Sequence, residues 1–155
     1  MAALQTDTLA ELIRRKRECL LQLREMGRKE FELIDKADMT ALLDLLALKQ
    51  RSLMRLREIE RALKPFRAQN ADERTWRCED DRQACAEQLR QCEVLFGEII
   101  NQEKLSENNL RRRRDEAATQ LQGVHHAGVA RKAYASQLSD ETSRLDLLSD
   151  SRPSR

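Results

Sequence analysis

Three of the four cysteines, Cys78, Cys85 and Cys92, recur every seven residues, and a regular row of thiols is one pattern that can bind a metal ion. Seven residues of α-helix rise about 10.5 Å, whereas two thiolates on one zinc ion each lie about 2.3 Å from it. The spacing therefore predicts small buried side chains on a helical seam, with Cys78 at its margin. The remaining alternative is chance oxidation across a symmetric dimer.

The two histidines, His125 and His126, are adjacent and would point about 100° apart on a helix. No cysteine is near enough in the sequence to complete a metal site with them. We interpret them as solvated polar residues in a loop. The chain also has no glycine-rich phosphate loop and no recognisable pairing of a nucleophile with a general base. We therefore expect no enzymatic activity, no cofactor and no metal.

Two short basic runs are the best candidates for nucleic-acid binding. One is RRKR at 14–17, and the other is 111–114 in LRRRRDEA. Neither run contains an aromatic residue, and Glu107, Asp115 and Glu116 flank the second run. Bases and acids at these spacings form i,i+4 ion pairs on a solvated helical face. Nucleic-acid binding is therefore the less favoured interpretation.

The composition indicates long helices. Of 155 residues, 36% are charged and 3% aromatic, with four glycines and two prolines, which is typical of helical bundles and coiled coils. A net charge of +2 gives no general attraction to nucleic acid or anionic membranes. No run reaches the roughly 18–20 apolar residues needed to span a bilayer, and the amino terminus does not resemble a secretory signal. We expect a cytoplasmic protein with free thiols and no membrane insertion.

Apolar residues at spacings of three and four predict two helices, at about 8–35 and 39–64. Asp38 is the expected N-cap of the second helix, and Lys64-Pro65 is expected to end it. Because the connection is short, the two helices should form an antiparallel hairpin. The predicted apolar faces are Leu9, Leu12, Ile13, Cys19, Leu20, Leu23, Met26, Phe31 and Ile34 on the first helix, and Met39, Leu42, Leu46, Leu53, Leu56, Ile59 and Leu63 on the second.

A third helix is predicted at about 72–122, and it is longer than the hairpin. Its expected seam begins with apolar residues that can pack on the hairpin and continues with polar ones that are unusual in a buried seam. A hairpin of about 40 Å cannot cover a helix of about 75 Å. The distal half should therefore project, self-associate or bind a partner. The seam positions are Cys85, Leu89, Cys92, Phe96, Ile99, Glu103, Ser106, Leu110, Arg113, Ala117 and Leu121.

The segment GVHHAGVARKAYASQL, at 123–138, is expected to end this helix. Gly123 and Gly128 predict a helix end and a pivot, followed by a flexible arm at 128–138. The arm has three interpretations: a frayed terminus, a segment folded back on its own chain, or a segment ordered by a partner. Residues 139–155 are rich in serine and charge, which predicts a disordered tail.

These patterns predict one all-α domain at 1–138, built as an antiparallel helical hairpin plus one long third helix in a coiled-coil-like bundle. The second helix contains DLLALKQRSLMRLREIERAL, with Lys49 among its leucines, and the third ends in GVARKAYA. With the charged, Leu-rich first helix, these segments resemble the FlgN family of flagellar type III export chaperones over about 8–138. Second helices of that family similarly carry a lysine or arginine amid leucines.

The resemblance implies a cytosolic chaperone that is not an enzyme. Members of the family bind the C-terminal segments of hook–filament junction proteins, prevent their premature polymerisation and deliver them for export, which also implies contact with export apparatus components. Their C-terminal region binds the substrate. For this chain, the implied partner-binding residues are Leu110, Ala117, Leu121, Val124, Val129, Ala133 and Tyr134.

The alternative is a structural coiled-coil protein that self-associates through the distal half of helix three. The polar seam argues against a tight long dimer, so we expect a monomer or a weak dimer.

Overall fold

A computed structural model of the chain describes residues 4–149. The expected all-α class is confirmed, since the described residues form three α-helices and one 3-10 turn and contain no strand. Residues 150–155 of the predicted tail lie outside the described part. The elements are α1 (Gln5–Asp35), α2 (Met39–Arg67), the 3-10 turn (Ala71–Glu73) and α3 (Glu79–Ser149).

Helix α1 begins three residues earlier than predicted, because Asp7 forms hydrogen bonds with Leu4 that cap the amino terminus of the helix. The Leu4 backbone N–H donates to Asp7 Oδ2 at 3.0 Å, and the Asp7 backbone N–H donates to the Leu4 carbonyl at 3.0 Å. The Thr6 hydroxyl donates to the Thr75 carbonyl at 2.8 Å. The first turn of α1 is thereby joined to the connection that precedes α3.

The turn between α1 and α2 is tight, as the short polar break predicts. Ala37 adopts the left-handed conformation with φ of 55°, and the Asp38 N–H donates back to the Leu33 carbonyl at 3.0 Å. This is the hydrogen bonding of a Schellman-type helix end. The predicted N-cap is confirmed, because Asp38 Oδ1 accepts from the Ala41 N–H at 3.2 Å.

The predicted boundaries near the second connection were wrong by several residues. Helix α2 continues through Pro65 to Arg67, since a proline in the last turn removes only one donor that the helix would otherwise use. Helix α3 starts at Glu79 rather than at 72, because residues 71–73 form a 3-10 turn. Asn70 caps that turn, its Oδ1 accepting from the Asp72 N–H at 3.1 Å.

The predicted break at Gly123 and Gly128 is absent. Helix α3 runs through both glycines, no glycine in the described chain has a positive φ, and residues 128–138 of the expected arm are helical. So are residues 139–149 of the expected tail. Each glycine costs a helix only about 1 kcal/mol relative to alanine, and the surrounding Ala, Leu, Gln, Arg and Lys residues favour helix. Proline, the stronger helix breaker, does not occur between Pro65 and Pro153.

The described chain divides into two compact units at Arg111–Arg112. We call residues 4–111 the bundle unit and residues 112–149 the distal unit.

Side-chain contacts establish the helix directions within the bundle unit. Arg17 Nε donates to Gln91 Oε1 at 2.6 Å and Arg24 Nη1 donates to Glu98 Oε2 at 3.0 Å, and both pairs are separated by 74 residues. A constant separation means that α1 and α3 run parallel. Glu60 of α2 pairs with Lys16 at 2.8 Å, whereas Lys49, earlier in α2, pairs with the later Glu30. Helices α1 and α2 are therefore antiparallel, as predicted.

The core of the bundle unit draws on all three helices. Cys92 is among its most deeply buried side chains, and its Sγ lies 3.9 Å from the Ile13 carbonyl. The predicted cysteine row is confirmed for Cys85 and Cys92, which are buried, whereas Cys78 is exposed and precedes α3. The core consists of Leu9, Ile13, Cys19, Leu20, Leu23, Ile59, Leu63, Cys85, Cys92 and Leu95.

Several residues predicted on apolar faces are instead exposed. On α3, Leu95 is 6% exposed while the predicted Phe96 is 51% exposed. On α2, Leu45 is buried and its predicted neighbour Leu46 is more exposed. A repeat of three and four residues tolerates a shift of one position, so adjacent apolar residues cannot be ordered from spacing alone. The other predicted face residues that are exposed are Phe31, Met39, Leu53, Leu89, Leu110, Ala117 and Leu121.

Candidate partner-binding surface

The distal unit has no buried core among its described side chains. From Arg114 to Arg144 every residue is exposed apart from the half-buried Gly128. Leu121 and Val124 are 69% and 70% exposed, and Val129, Tyr134 and Leu138 are also exposed. Large apolar side chains on a helix are normally buried against another element. The distal unit therefore presents apolar side chains with nothing covering them in the monomer.

Some of these side chains form one continuous row along the helix. At about 100° per residue, spacings of four and three keep successive side chains within a sector of about 100°. We call this row the distal stripe. Arg131 is the single charged position within it. Its apolar members are Ala117, Leu121, Val124, Gly128, Ala135 and Leu138.

The predicted partner-binding residues fall on more than one face of α3. Ala117, Leu121 and Val124 belong to the distal stripe, and Leu110 is an exposed residue of the bundle unit. Because α3 continues through the expected pivot, helical geometry gives the positions of the other three predicted residues relative to the distal stripe. Val129 and Ala133 lie about 120° or more from the centre of the stripe, and Tyr134 borders it. The structure brings together only part of the predicted set. The predicted residues after Gly128 lie on the same continuous helix as the others and not on a separate arm.

Charge is absent from the central part of the distal unit. Residues 117–130 contain no Asp, Glu, Lys or Arg, although 36% of the whole chain is charged. Interface cores are depleted in charged residues relative to the remaining protein surface. Three bases at 112–114 and two acids at 115–116 precede this charge-free segment, and two bases at 131–132 follow it. The segment thus has the composition of a contact surface, with a flank of mixed charge at 112–116 and a basic flank at 131–132.

The basic run at 111–114 is ion-paired with acids on the same helix. Arg111 pairs with Glu107 at 2.6 Å, and Arg112 and Arg113 lie 3.9 Å from Glu116. The predicted i,i+4 pairs are confirmed for Arg111 and Arg112.

The other basic run, RRKR at 14–17, is paired as well. Arg14 contacts Glu11 and Glu18 at 2.5 and 2.6 Å. Its neighbours Arg15, Lys16 and Arg17 bond to Glu11, Glu60 and Gln91, respectively.

The polar part of the α3 seam is buried in the bundle unit, contrary to the expectation that the hairpin leaves it uncovered. Ser106 is 2% exposed and Asn109 is also buried. Lys49 of α2 donates to Glu30 of α1 at 2.7 Å and to Glu103 of α3. We call these three residues the Lys49 triad. It joins all three helices where an apolar seam would otherwise be expected.

Lys49 and Glu30 hold their charges in a largely buried position, whereas the Glu103 side chain is 41% exposed. Burial lowers the pKa of the Lys49 ammonium, but the hydrogen bonds to Glu103 and Glu30 outweigh that effect and raise the pKa above its usual 10.5. Spacing did not identify this triad as a contact. Its signals in the sequence are Lys49, a lysine within a run of leucines, and Glu103, a polar residue at a predicted seam position.

Gly27 of α1 is buried beside the triad, where α1 packs against α3. A Cβ placed on Gly27 of α1 would lie 2.7 Å from Gln102 Oε1 of α3. Gln102 Oε1 and Ser106 Oγ are buried and have no hydrogen-bond partner within residues 4–149. The α1–α3 interface is therefore apolar near Cys85 and Cys92 and polar from Gln102 onward.

A second exposed apolar surface lies on α2. Met39, Leu43 and Met54 fall within a sector of about 60°, and Leu43 is 67% exposed. We call these residues the α2 row. Its exposure matches that of the distal stripe, but charged residues are close by, at Asp44 and Arg57.

The last candidate residues are the two histidines. His125 and His126 are exposed on α3, in helix rather than in the predicted loop, with ring centroids 6.1 Å apart. Within residues 4–149, no group of three His, Cys, Asp or Glu side chains is placed to hold a metal ion. In the same residues, no helix has a stretch both long and apolar enough to cross a bilayer.

Comparison with protein-family models, with curated proteins and with solved structures finds no match to this chain.

Proposed function

We propose that this protein is a helix-binding chaperone of the flagellar export type, which captures a helical segment of an exported hook–filament junction-type protein in the cytoplasm. The observation that carries the proposal is the exposure of Leu121 and Val124, at 69% and 70%, on a helix with no core of its own. The resemblance of the chain to the FlgN family supplies the class of substrate.

The distal stripe supports a helical partner. An amphipathic helix contacts another helix through side chains spaced by three and four residues. Gly128 and the alanines Ala117 and Ala135 leave room for large side chains of the partner or for a close approach of its backbone. The basic pair at 131–132 favours a partner helix whose apolar face is bordered by acids there.

The test is capture of the substrate from a lysate of the source organism by full-length bait, read by mass spectrometry. Leu121→Asp with Val124→Asp places two charges on the distal stripe and should abolish recovery of a hook–filament junction-type protein. Leu43→Asp is the matched control, because Leu43 is as exposed as Leu121 but belongs to the α2 row. The distal site would be contradicted if the Leu43→Asp variant lost capture while the Leu121→Asp, Val124→Asp variant kept it.

Self-association through the same surface is the second candidate, since a helix with an apolar row at these spacings can also pair with its own copy. Light scattering separates the two functions. A dimer that persists at low micromolar concentration and dissociates in the Leu121→Asp, Val124→Asp variant would favour the scaffold. A monomeric bait that recovers the exported protein favours the chaperone.

A further inference from the structure

A cavity lies in the bundle unit at the end formed by the start of α1, the end of α2 and the connection to α3. Its volume is 260 Å³, and its apolar lining includes Leu9, Ile13, Phe66, Trp76 and Leu89. Pockets for drug-sized ligands measure about 300–1,000 Å³ and combine an apolar lining with a few polar groups. The size and lining of this cavity therefore suit a smaller and mainly apolar ligand.

Every charged residue that lines the cavity is a cation: Lys16, Arg67, Arg74 and Arg82. Three of these cations have carboxylate neighbours outside the lining. Glu60 is ion-paired with both Lys16 and Arg67, and Glu79 lies 3.9 Å from Arg82. The fourth cation, Arg74, has no carboxylate partner among the residues that the structure describes. The local charge is therefore positive and is concentrated at Arg74.

Arg74 also has unused hydrogen-bonding capacity. Its Nη2 donates to the Phe66 carbonyl at 2.6 Å, but its buried Nε finds no acceptor within the described chain. A buried donor without an acceptor is costly. Arg74 and Phe66 also line an adjoining cavity of 530 Å³, whose wall contains polar residues such as Gln69 and Asn70 and one carboxylate, Glu73. Arg74 thus lies at the boundary between an apolar cavity and a polar one.

We propose that the smaller cavity, which we call the Arg74 cavity, binds a small aliphatic carboxylate. The alkyl chain lies among Leu9, Phe66 and Trp76, and the carboxylate accepts hydrogen bonds from Arg74, because guanidinium and carboxylate groups pair through several short bonds. A neutral ligand would leave Arg74 without an anion, and a cationic one would be repelled. The site lies in the bundle unit and is independent of the proposed capture of a helix by the distal stripe.

Trp76 is the single tryptophan of the chain and lines the cavity, so its fluorescence reports on occupancy. Full-length protein is titrated with decanoate below its micellar range, with calorimetry as a second measure of affinity. We expect saturable binding with a shift in Trp76 emission, and no saturable binding of decanol or decyltrimethylammonium. Arg74→Gln should weaken decanoate binding about tenfold or more, as expected for loss of a charged hydrogen bond.

Two further variants keep the test independent of misfolding. Arg90→Gln, on the exposed face of α3 and away from the cavity lining, should leave decanoate affinity unchanged. Ala86→Phe should reduce binding by filling the cavity while far-UV circular dichroism stays unchanged, since Ala86 lines the cavity but is exposed. The proposal is overturned if decanoate does not saturate the protein, if decanol binds as tightly, or if folded Arg74→Gln protein binds decanoate with unchanged affinity.

Discussion

The Lys49 ammonium donates a hydrogen bond of 2.7 Å to the Glu30 carboxylate, and both side chains are about nine-tenths buried. Glu103 of α3 is the third member of this group. Lys49→Met should therefore destabilise the protein by about 3–5 kcal/mol, because it leaves a buried carboxylate without its cation. Urea unfolding followed by circular dichroism measures the change in the free energy of unfolding.

Lys29→Met is the control for that variant, since Lys29 is an exposed lysine of α1. Its effect should stay within about 0.5 kcal/mol. If Lys49→Met were equally mild, the triad would not hold the three helices together.

The turn at Ala37 offers a stabilising substitution. Ala37 has φ of 55°, a conformation that costs a non-glycine residue about 1–2 kcal/mol. Glycine avoids this cost, but its greater conformational freedom in the unfolded chain offsets part of the gain in stability. Ala37→Gly should therefore raise the free energy of unfolding by about 0.5–1 kcal/mol. Ala47→Gly, on the exposed side of α2, should lower it by about 1 kcal/mol. Thermal and urea unfolding of the two variants compare these opposite signs directly.

The four thiols should react at two distinct rates. Burial raises the pKa of Cys19, Cys85 and Cys92 above its ordinary 9.0, which disfavours the reactive thiolate, while Cys78 is exposed. At neutral pH, a thiol reagent should modify Cys78 rapidly and the other three only as the protein unfolds. Mass spectrometry of partly labelled protein tests this, with Cys78→Ser expected to remove the fast phase. Rapid labelling of Cys92 would show that the core is open.

Matched leucine truncations should separate the two units energetically. Leu20→Ala removes a side chain that is 1% exposed and should cost about 2–5 kcal/mol. Leu121→Ala removes one that is 69% exposed and should change stability by less than about 0.5 kcal/mol. The comparison uses the same chemical change at both sites. A large loss of stability for Leu121→Ala would mean that the distal stripe is already covered, which would contradict its proposed role.

Stability should fall on acidification partly through Glu60. Burial raises the pKa of this carboxyl, but hydrogen bonds and charge from Lys16 and Arg67 outweigh burial and hold the pKa below its ordinary 4.5. The stabilisation is therefore present above pH 4.5 and is lost as the pH falls through the lower pKa of the folded state. Glu60→Gln should flatten this acid limb of a plot of melting temperature against pH. Glu58→Gln, at an exposed position on α2, is the control and should leave the limb unchanged.

The helical hairpin was predictable because local signals specify it. Apolar spacing indicated α1 and α2, and Asp38 capped the second helix as expected. These features depend on residues within one turn of each other, so the sequence contains the information directly. The unbroken helix through Gly123 and Gly128 differs from the predicted break, because the cost of two glycines is smaller than the helix preference of the residues around them.

Side-chain partners required the tertiary structure. The sequence by itself determined three helices, an antiparallel hairpin and buried cysteines on α3. Only packing decided that Leu95 rather than Phe96 faces the core, since a one-residue shift leaves the apolar spacing intact. Packing also decided that Lys49 meets Glu30 and Glu103, because residues far apart in the chain become neighbours only when parallel α3 is set in register against the hairpin.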